Sequence, residues 1–367
     1  MHIGFIEDTL LRGGTQIWVT EAVAYYLAEG EDVTVLTPQG AWVAEECRAI
    51  GANVVTYDYE HVEALIWESA LRNCDVVVCT VHPPRDDFHC SVFAAECIRN
   101  GNLKTILIPK TGTIVPSYKR EFYLPDERIQ SYVISIADFT RRYLLDDYKL
   151  PAERVKLIYQ GVNISHFSPS PARNRHALEQ YPLPEQAAPI IGNVGSLENR
   201  KGQNVLLEAF ADVVNKMPDA HLMFVGEGPD EAKLLENVKS LGLSQRVTFF
   251  PFTREPSNVY ELLDMLVLPS LYKEGLPNVL LESLAMGVPV IASDIAGVPE
   301  VVKDGETGYL VETGNSDQLA SAMRRLWHHQ DHYGQMQQNG RELIEASFDK
   351  QKQFDLFLAY FSEITQR

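Results

Sequence analysis

Short apolar runs separated by stretches with helical spacing recur along the whole chain, and this alternation predicts parallel sheets covered by helices. In the first half, residues 2–6, 32–37, 75–80, 104–108, 131–136 and 155–159 read as strands, with helices over 15–29 and 139–146. A proline-punctuated segment, from Ser168-Pro-Ser-Pro171 to Tyr181-Pro-Leu-Pro184, then breaks the rhythm and marks a hinge. The alternation restarts at 189–194 and runs through strands at 221–225, 247–250, 265–268 and 288–292, with helices at 205–215, 230–241 and 280–286. The expected fold class is α/β, with two doubly wound, Rossmann-like domains. The final stretch, 350–364, places Phe354, Phe357, Leu358 and Phe361 at the spacing of a helix packed on a neighbour, without saying which domain receives it.

A chain of 367 residues with 45% hydrophobic content can bury two cores of ordinary domain size. Its net charge of -18 is shared by both halves, which argues against nucleic acid and anionic lipid as bulk electrostatic partners. All five cysteines fall in the first hundred residues, odd in number and without CxxC spacing, as expected of reduced thiols in the cytoplasm. Cys79 and Cys90 with His82 and His89 form the one pattern that leaves zinc open; the plainer reading is core and surface residues. Residues 1–6 read as a strand with no signal-peptide pattern, and no apolar run has the length of a membrane span. The expectation is a cytoplasmic chain, with peripheral membrane attachment left open. The sequence carries no sign of its oligomeric state.

The chemistry concentrates at Glu274-Gly-Leu-Pro-Asn-Val-Leu-Leu-Glu282, where two carboxylates bracket a helix start at Pro277 and Asn278. The unpaired N–H groups of a first helical turn, with the positive end of the dipole, suit phosphate, and a carboxylate on either side suits the hydroxyls flanking a diphosphate. Three further loops follow predicted strands. Arg12-Gly13-Gly14-Thr15 lets backbone approach a ligand, but lacks the GxGxxG spacing of a dinucleotide fingerprint. Gly195 to Gly202 carries Arg200 and Lys201 beside a helix start, to be weighed against an ordinary solvated pair; Gly226-Glu227-Gly228 is the weakest of the three. All lie where open parallel sheets bind ligands.

The chain resembles family 4 of the retaining glycosyltransferases of GT-B fold over nearly its whole length. The resemblance rests on Gly13-Gly14, Tyr132-Val-Ile-Ser-Ile-Ala137 with Phe139-Thr-Arg-Arg142, Ile158-Tyr-Gln-Gly161-Val-Asn163, the loop 195–202, and Phe224-Val-Gly226-Glu-Gly228. Its most specific part is the E-x7-E pair with Leu284-Ala-Met-Gly287-Val-Pro289-Val-Ile291-Ala292. It implies two domains facing a cleft: residues 1–168 for the acceptor, 169–346 for the nucleotide-sugar donor, and a terminal helix, 347–367, crossing back to the first.

The resemblance also implies roles. Glu274 contacts donor-sugar hydroxyls; backbone N–H groups of Gly275, Leu276, Asn278 and Val279 hold sugar and phosphates; Glu282 accepts from the ribose. Lys201 neutralises the diphosphate with Ser196, Arg200 and Gly14 nearby, and backbone at Gly226 and through Phe252 holds the base. Arg12, Gly13 and Lys110 fall to the acceptor side. Two departures stand out: Ser196 occupies a position where family members commonly carry arginine, and Pro109-Lys110-Thr111 replaces an expected histidine. His82 and Lys110 are both candidates for that vacant role.

No Asp-x-Asp metal motif occurs, Asp58-Tyr-Glu60 being the nearest approach, so the expectation is metal-independent transfer of a hexose-type sugar from a UDP- or GDP-sugar to an acceptor hydroxyl on a glycan, lipid or small molecule. No separate cofactor is expected, the nucleotide sugar being a substrate. The competing class is a catalytically degenerate nucleotide-sugar-binding subunit of a transferase complex, suggested by Ser196 and the displaced histidine.

Overall fold

The computed structural model describes residues 1–114, 118–169 and 175–366; Ser170 and Pro171 of the expected hinge lie outside them. The chain divides into two compact units, Met1–Tyr159 with Gln353–Arg367, and Gln160–Lys352. The division after Tyr159 comes earlier than the boundary expected at 168, because 160–169 is tied to the second unit. Val162 N–H donates to Phe348 O at 2.8 Å and Lys350 N–H to Val162 O at 3.0 Å. Gly161 lies so close that a Cβ would sit 2.6 Å from Lys350 Cα.

The first unit holds a seven-stranded sheet of order β3-β2-β1-β4-β5-β6-β7, all parallel. Its strands are β1 (His2–Ile6), β2 (Asp32–Pro38), β3 (Asn53–Tyr57), β4 (Val76–Thr80), β5 (Ile106–Thr111), β6 (Val133–Ser135) and β7 (Val155–Leu157). Side chains alternate between faces with the period of two that a strand imposes. Ile3, Phe5, Val76, Val78, Ile106 and Ile108 share one core with Trp18 and Tyr26 of helix Gly14–Ala28; Ile6, Val77, Cys79 and Leu107 share another with helices Ala64–Leu71 and Cys90–Asn100.

Helix Lys350–Thr365 supplies Phe354, Phe357, Phe361 and Ile364 to the first of these cores. Trp18 Nε1 donates to Gln353 Oε1 at 3.1 Å, and the Trp18 ring lies 5.4 Å from that of Phe357. Of the face predicted from spacing, Phe354, Phe357 and Phe361 are buried and Leu358 is half-buried, while exposed Leu356 marks the opposite side.

The second unit holds six parallel strands, order β10-β9-β8-β11-β12-β13: β8 (Ile190–Val194), β9 (His221–Val225), β10 (Val247–Phe250), β11 (Met265–Leu268), β12 (Val290–Ser293) and β13 (Gly308–Val311). Ile191, Phe224, Val267 and Ile291 pack with Leu206 and Phe210 of helix Gln203–Lys216 and with Leu319 and Met323 of helix Ser316–His328. In each sheet the order reverses beside the first strand, between β1 and β4 and between β8 and β11. Such switch points open a crevice at the carboxyl ends of the strands, where side chains meet a ligand.

Two sequence expectations need correcting here. The strand expected to end at Ile108 continues to Thr111, with Pro109 opposite Cys79 and Lys110 opposite Thr80. Pro109 gives up only its own N–H; pairing is carried on by Lys110 O, which accepts from Val81 N–H at 3.0 Å. Strands β3 and β13, both at sheet edges, were not expected at all.

Candidate active site

In the second unit, the loop after β8 turns through a 3-10 helix, Asn199–Lys201, into Gly202. Gly202 is in the left-handed region at φ 69°, and a Cβ there would lie 2.0 Å from Pro269 O, so glycine alone fits against the end of β11. Leu271 N–H donates to Arg200 O at 2.7 Å, fastening the loops after β8 and β11 together. That fastening brings residues 73 apart in sequence into contact: Lys201 Nζ donates to Glu274 Oε1 at 2.6 Å. The Ser270 hydroxyl donates to the same oxygen at 2.6 Å, and Arg200 Nη1 stands 3.7 Å away.

Glu274 is buried, so its charge depends on these partners. Arg200 is also held by Glu198 at 2.7 Å and donates to Lys273 O at 3.3 Å. Burial pushes the Glu198 carboxyl up, but the Ser196 hydroxyl at 2.5 Å and the Arg200 charge outweigh it and hold the group below its ordinary value. Ser196 thus serves Glu198, a carboxylate the sequence reading did not single out.

Helix Asn278–Ala285 starts directly after this loop, with Pro277 as its extended N-cap and Gly287 beyond its end at φ 70°. Gly275 and Leu276 are buried before it, whereas Asn278, Val279 and Glu282 are half-buried. In its first turn, the Asn278 and Val279 N–H groups have no intrahelical acceptor. Gly297 N–H donates to Gly275 O at 3.1 Å, anchoring the approach from the other side. Glu282 Oε2 accepts from the buried Tyr260 hydroxyl at 2.7 Å, a contact that fixes the carboxylate a turn along the helix.

Gly226 has a packing role: at φ 148°, its Cβ would lie 2.0 Å from Gly195 O, and its N–H already donates to Phe250 O at 3.0 Å. The neighbouring Phe252 ring is 61% exposed, an open apolar face beyond β10.

In the first unit, Gly13 is the extended N-cap of helix Gly14–Ala28. The other sequence candidates are not gathered into one cluster. Arg12 lies 4.6 Å over the Trp42 ring, and Lys110, 4% exposed, has Nζ 3.8 Å over the Trp18 ring. Arg85 grips Asp8 through Nε at 3.1 Å and Nη2 at 2.9 Å, and stacks on Tyr59 at 3.8 Å.

His82, just beyond β4, meets a residue the sequence reading missed. Its Nε2 is paired with the Oε1 of Glu7, which follows β1 and is wholly buried. Gln16 Nε2 donates to the same oxygen at 2.8 Å. The available signal was positional: Glu7 ends an apolar strand at a switch point, where a solvated loop acid is otherwise expected.

The zinc pattern resolves into other contacts. His89 Nε2 reaches His82 O at 3.1 Å, its Nδ1 faces the Ser91 hydroxyl at 2.8 Å, and Cys79 and Cys90 have sulfurs 3.4 Å apart. Among the described residues no group of three or more His, Cys, Asp or Glu is arranged to hold a metal. Asp58 caps a turn, accepting from Glu60 N–H at 2.8 Å and His61 N–H at 2.9 Å. No helix among the described residues is long and apolar enough to cross a membrane.

Two parallel, doubly wound sheets, each with its polar cluster at a switch point, define the GT-B class of glycosyltransferase folds. Residues 176–343 match the family described as glycosyl transferases group 1. The chain is 30% identical over 236 residues to the alpha-D-kanosaminyltransferase of Streptomyces kanamyceticus, covering 63% of this chain and 60% of that one. It is 34% identical over 165 residues to the N-acetyl-alpha-D-glucosaminyl L-malate synthase of Bacillus anthracis, covering 44% of this chain and 42% of that one. The matched segments thus span less than two thirds of these relatives. Anabaena HepE, solved in complex with UDP and glucose, superposes with a TM-score of 0.83 at 18% identity over 98% of this chain and 99% of its own.

Proposed function

We propose that the protein is a retaining glycosyltransferase that moves a hexose-type sugar from a UDP- or GDP-sugar to an acceptor hydroxyl in polysaccharide or glycoconjugate synthesis. The observation that carries this reading is the Lys201–Glu274 contact at a switch point, directly before the start of helix Asn278–Ala285. The group 1 match over this unit supports it, as do the sugar-transferring relative from Streptomyces and the UDP and glucose held by Anabaena HepE.

Cleaving the anomeric C–O bond leaves negative charge on the departing diphosphate while the sugar becomes oxocarbenium-like. Lys201, Arg200 and the N–H groups of Gly275, Leu276, Asn278 and Val279 stabilise that charge, with no metal required. Glu274 orients the sugar through its hydroxyls, and Glu282, steadied by Tyr260, accepts from the ribose. The exposed Phe252 ring lies against the base. A donor phosphate oxygen takes the acceptor's proton on the departing side, so the new bond forms on the face the leaving group vacates.

A thermal-shift screen against UDP-, GDP- and ADP-sugars tests donor binding, since a ligand that binds the folded state raises its stability. Proton NMR of the product anomeric centre then tests retention. The reading fails when no nucleotide sugar stabilises or is consumed by protein that melts cooperatively.

A further inference from the structure

The first unit contains a buried carboxylate that the transfer chemistry above does not use. Glu7 is 0% exposed, and its Oε1 is shared by the Gln16 amide and His82 Nε2. Gln16 is itself buried on helix Gly14–Ala28, so the carboxylate is fixed from the helix side and reaches the histidine on the other. Gly13 makes room for this: a Cβ there would come 3.1 Å from Gln16 Oε1.

With Nε2 committed, Nδ1 is the ring nitrogen left to face outward, and the His82 side chain keeps 19% of its surface exposed. The His82 carbonyl accepts from His89 Nε2 at 3.1 Å, which holds the backbone of the same residue. A buried acid, an imidazole with about a fifth of its side chain exposed and a fixed backbone form an oriented dyad at the carboxyl ends of β1 and β4.

The surrounding charges decide what the dyad offers. Asp8 is committed to the Tyr57 hydroxyl at 2.5 Å and to the Arg85 guanidinium. Lys110, from β5, lies over Trp18, and His89 packs flat on the Phe122 ring at 3.7 Å. With His82 charged, Glu7 and Asp8 are set against His82, Arg85 and Lys110, an excess of one positive charge in a chain of net charge -18.

We propose that Glu7 is a positioning residue that holds His82 as a charged hydrogen-bond donor, through Nδ1, for an anionic group of the acceptor, a phosphate or carboxylate. Burial alone pulls the His82 imidazole down, but the charge and hydrogen bond of Glu7, then the charge of Asp8, carry it above its ordinary value against the opposing charge of Lys110. Burial pushes Glu7 up, and the His82 charge and bond with the Gln16 amide outweigh that and bring it below its ordinary value. The dyad therefore persists as an ion pair until the pH rises through the raised histidine value, where the donor is lost. Naming the anion's bearer an acceptor rests on the transferase reading; the dyad itself does not.

Histidine Cε1–H NMR titration of the full chain tests this, with His82 assigned by its loss in His82→Asn and inorganic phosphate as the anion probe. In the wild type the His82 midpoint lies above 6.5 and its resonance moves on adding phosphate. In Glu7→Gln the midpoint falls by about one pH unit or more, a tenfold change in the ratio of charged to neutral imidazole, and the phosphate response disappears. Thermal stabilisation by UDP or GDP, read in the same samples, is unchanged, so a failed dyad and a failed transferase reading give different results. Equal midpoints in the two proteins, or a wild-type resonance indifferent to phosphate, overturn the proposal. If Glu7→Gln does not fold, a wild-type midpoint at or below 6.5, or no phosphate response, has the same force.

Discussion

Lys201 Nζ and Glu274 Oε1 lie 2.6 Å apart although each belongs to a different strand-end loop, one after β8 and the other after β11. Their side chains are 14% and 6% exposed, so removing one leaves the other charge poorly solvated. Lys201→Met is expected to destabilise the second unit by about 3 kcal/mol, as breaking a largely buried pair does. Glu274→Gln keeps a hydrogen-bond acceptor for Lys201 and Ser270, so its loss of stability should be smaller. Under the proposed mechanism, both variants lose turnover by about 100-fold or more. Urea denaturation and initial-rate assays check the pair together; near-wild-type turnover in Glu274→Gln contradicts the sugar-orienting role.

Gly202→Ala should be more damaging than its size suggests. The new methyl would have to enter the space of Pro269 O at 2.0 Å while the backbone holds φ 69°. A loss of about 2 kcal/mol or more is expected, with weaker nucleotide binding as the loops after β8 and β11 separate. A melting temperature within one degree of wild type, a shift of roughly a few tenths of a kcal/mol, would show that the loops move apart at little cost.

The Tyr260–Glu282 contact predicts sugar selectivity on the nucleotide. Glu282→Ala should bind UDP or GDP about tenfold more weakly, and should no longer prefer either over its 2′,3′-dideoxy form. Tyr260→Phe should lower that preference in part, since Glu282 keeps its place on the helix but loses the hydroxyl donated at 2.7 Å. Calorimetric titration distinguishes these outcomes.

Acid sensitivity is expected in the second unit from His221. Burial, then the Arg246 charge, lowers its imidazole to about 4, while Nε2 meets the Thr248 hydroxyl at 2.9 Å. The unfolded chain binds a proton near 6.5 that the folded one refuses until about 4. Stability is therefore full above the higher value and falls as pH drops between the two. This group contributes a loss of about 2 kcal/mol between pH 7 and pH 5. Urea denaturation at both pH values, with His221→Gln as comparison, should show a smaller loss in the variant.

Phe357 is fully buried on helix Lys350–Thr365, against Trp18 at 5.4 Å. Phe357→Ala should cost about 3–5 kcal/mol. Hydrogen exchange should report that loss in the first unit, far along the chain from the substitution, and leave β8–β13 protected. Equal loosening of both sheets would argue against two separate cores.

Central strands announced themselves through continuous apolar runs such as 76–79 and 265–268, because strands buried on both faces have few polar positions to disguise them. Edge strands were harder. β3 reads Asn53-Val-Val-Thr-Tyr57 with only Tyr57 buried, and β13 is four residues opening on a glycine. The donor-side glutamates and Lys201 were legible because the helix start, the spacing and the glycine turns are local. Glu7 was not, because its meaning depends on Gln16 and on His82, 75 residues away, and burial cannot be read from a single acidic letter. Arg12 stood out as a loop cation, whereas the fold brings it to Trp42.

The first unit takes its residues from both ends of the chain, with the whole of Gln160–Lys352 between them. During synthesis from the N-terminus, its sheet is complete through β7 while Trp18 and Tyr26 still await Phe354, Phe357 and Phe361. The second unit, continuous in sequence, has every strand available before that happens. The first unit is thus begun before the second and finished after it, and its aromatic face stays open to aggregation while the second is being made.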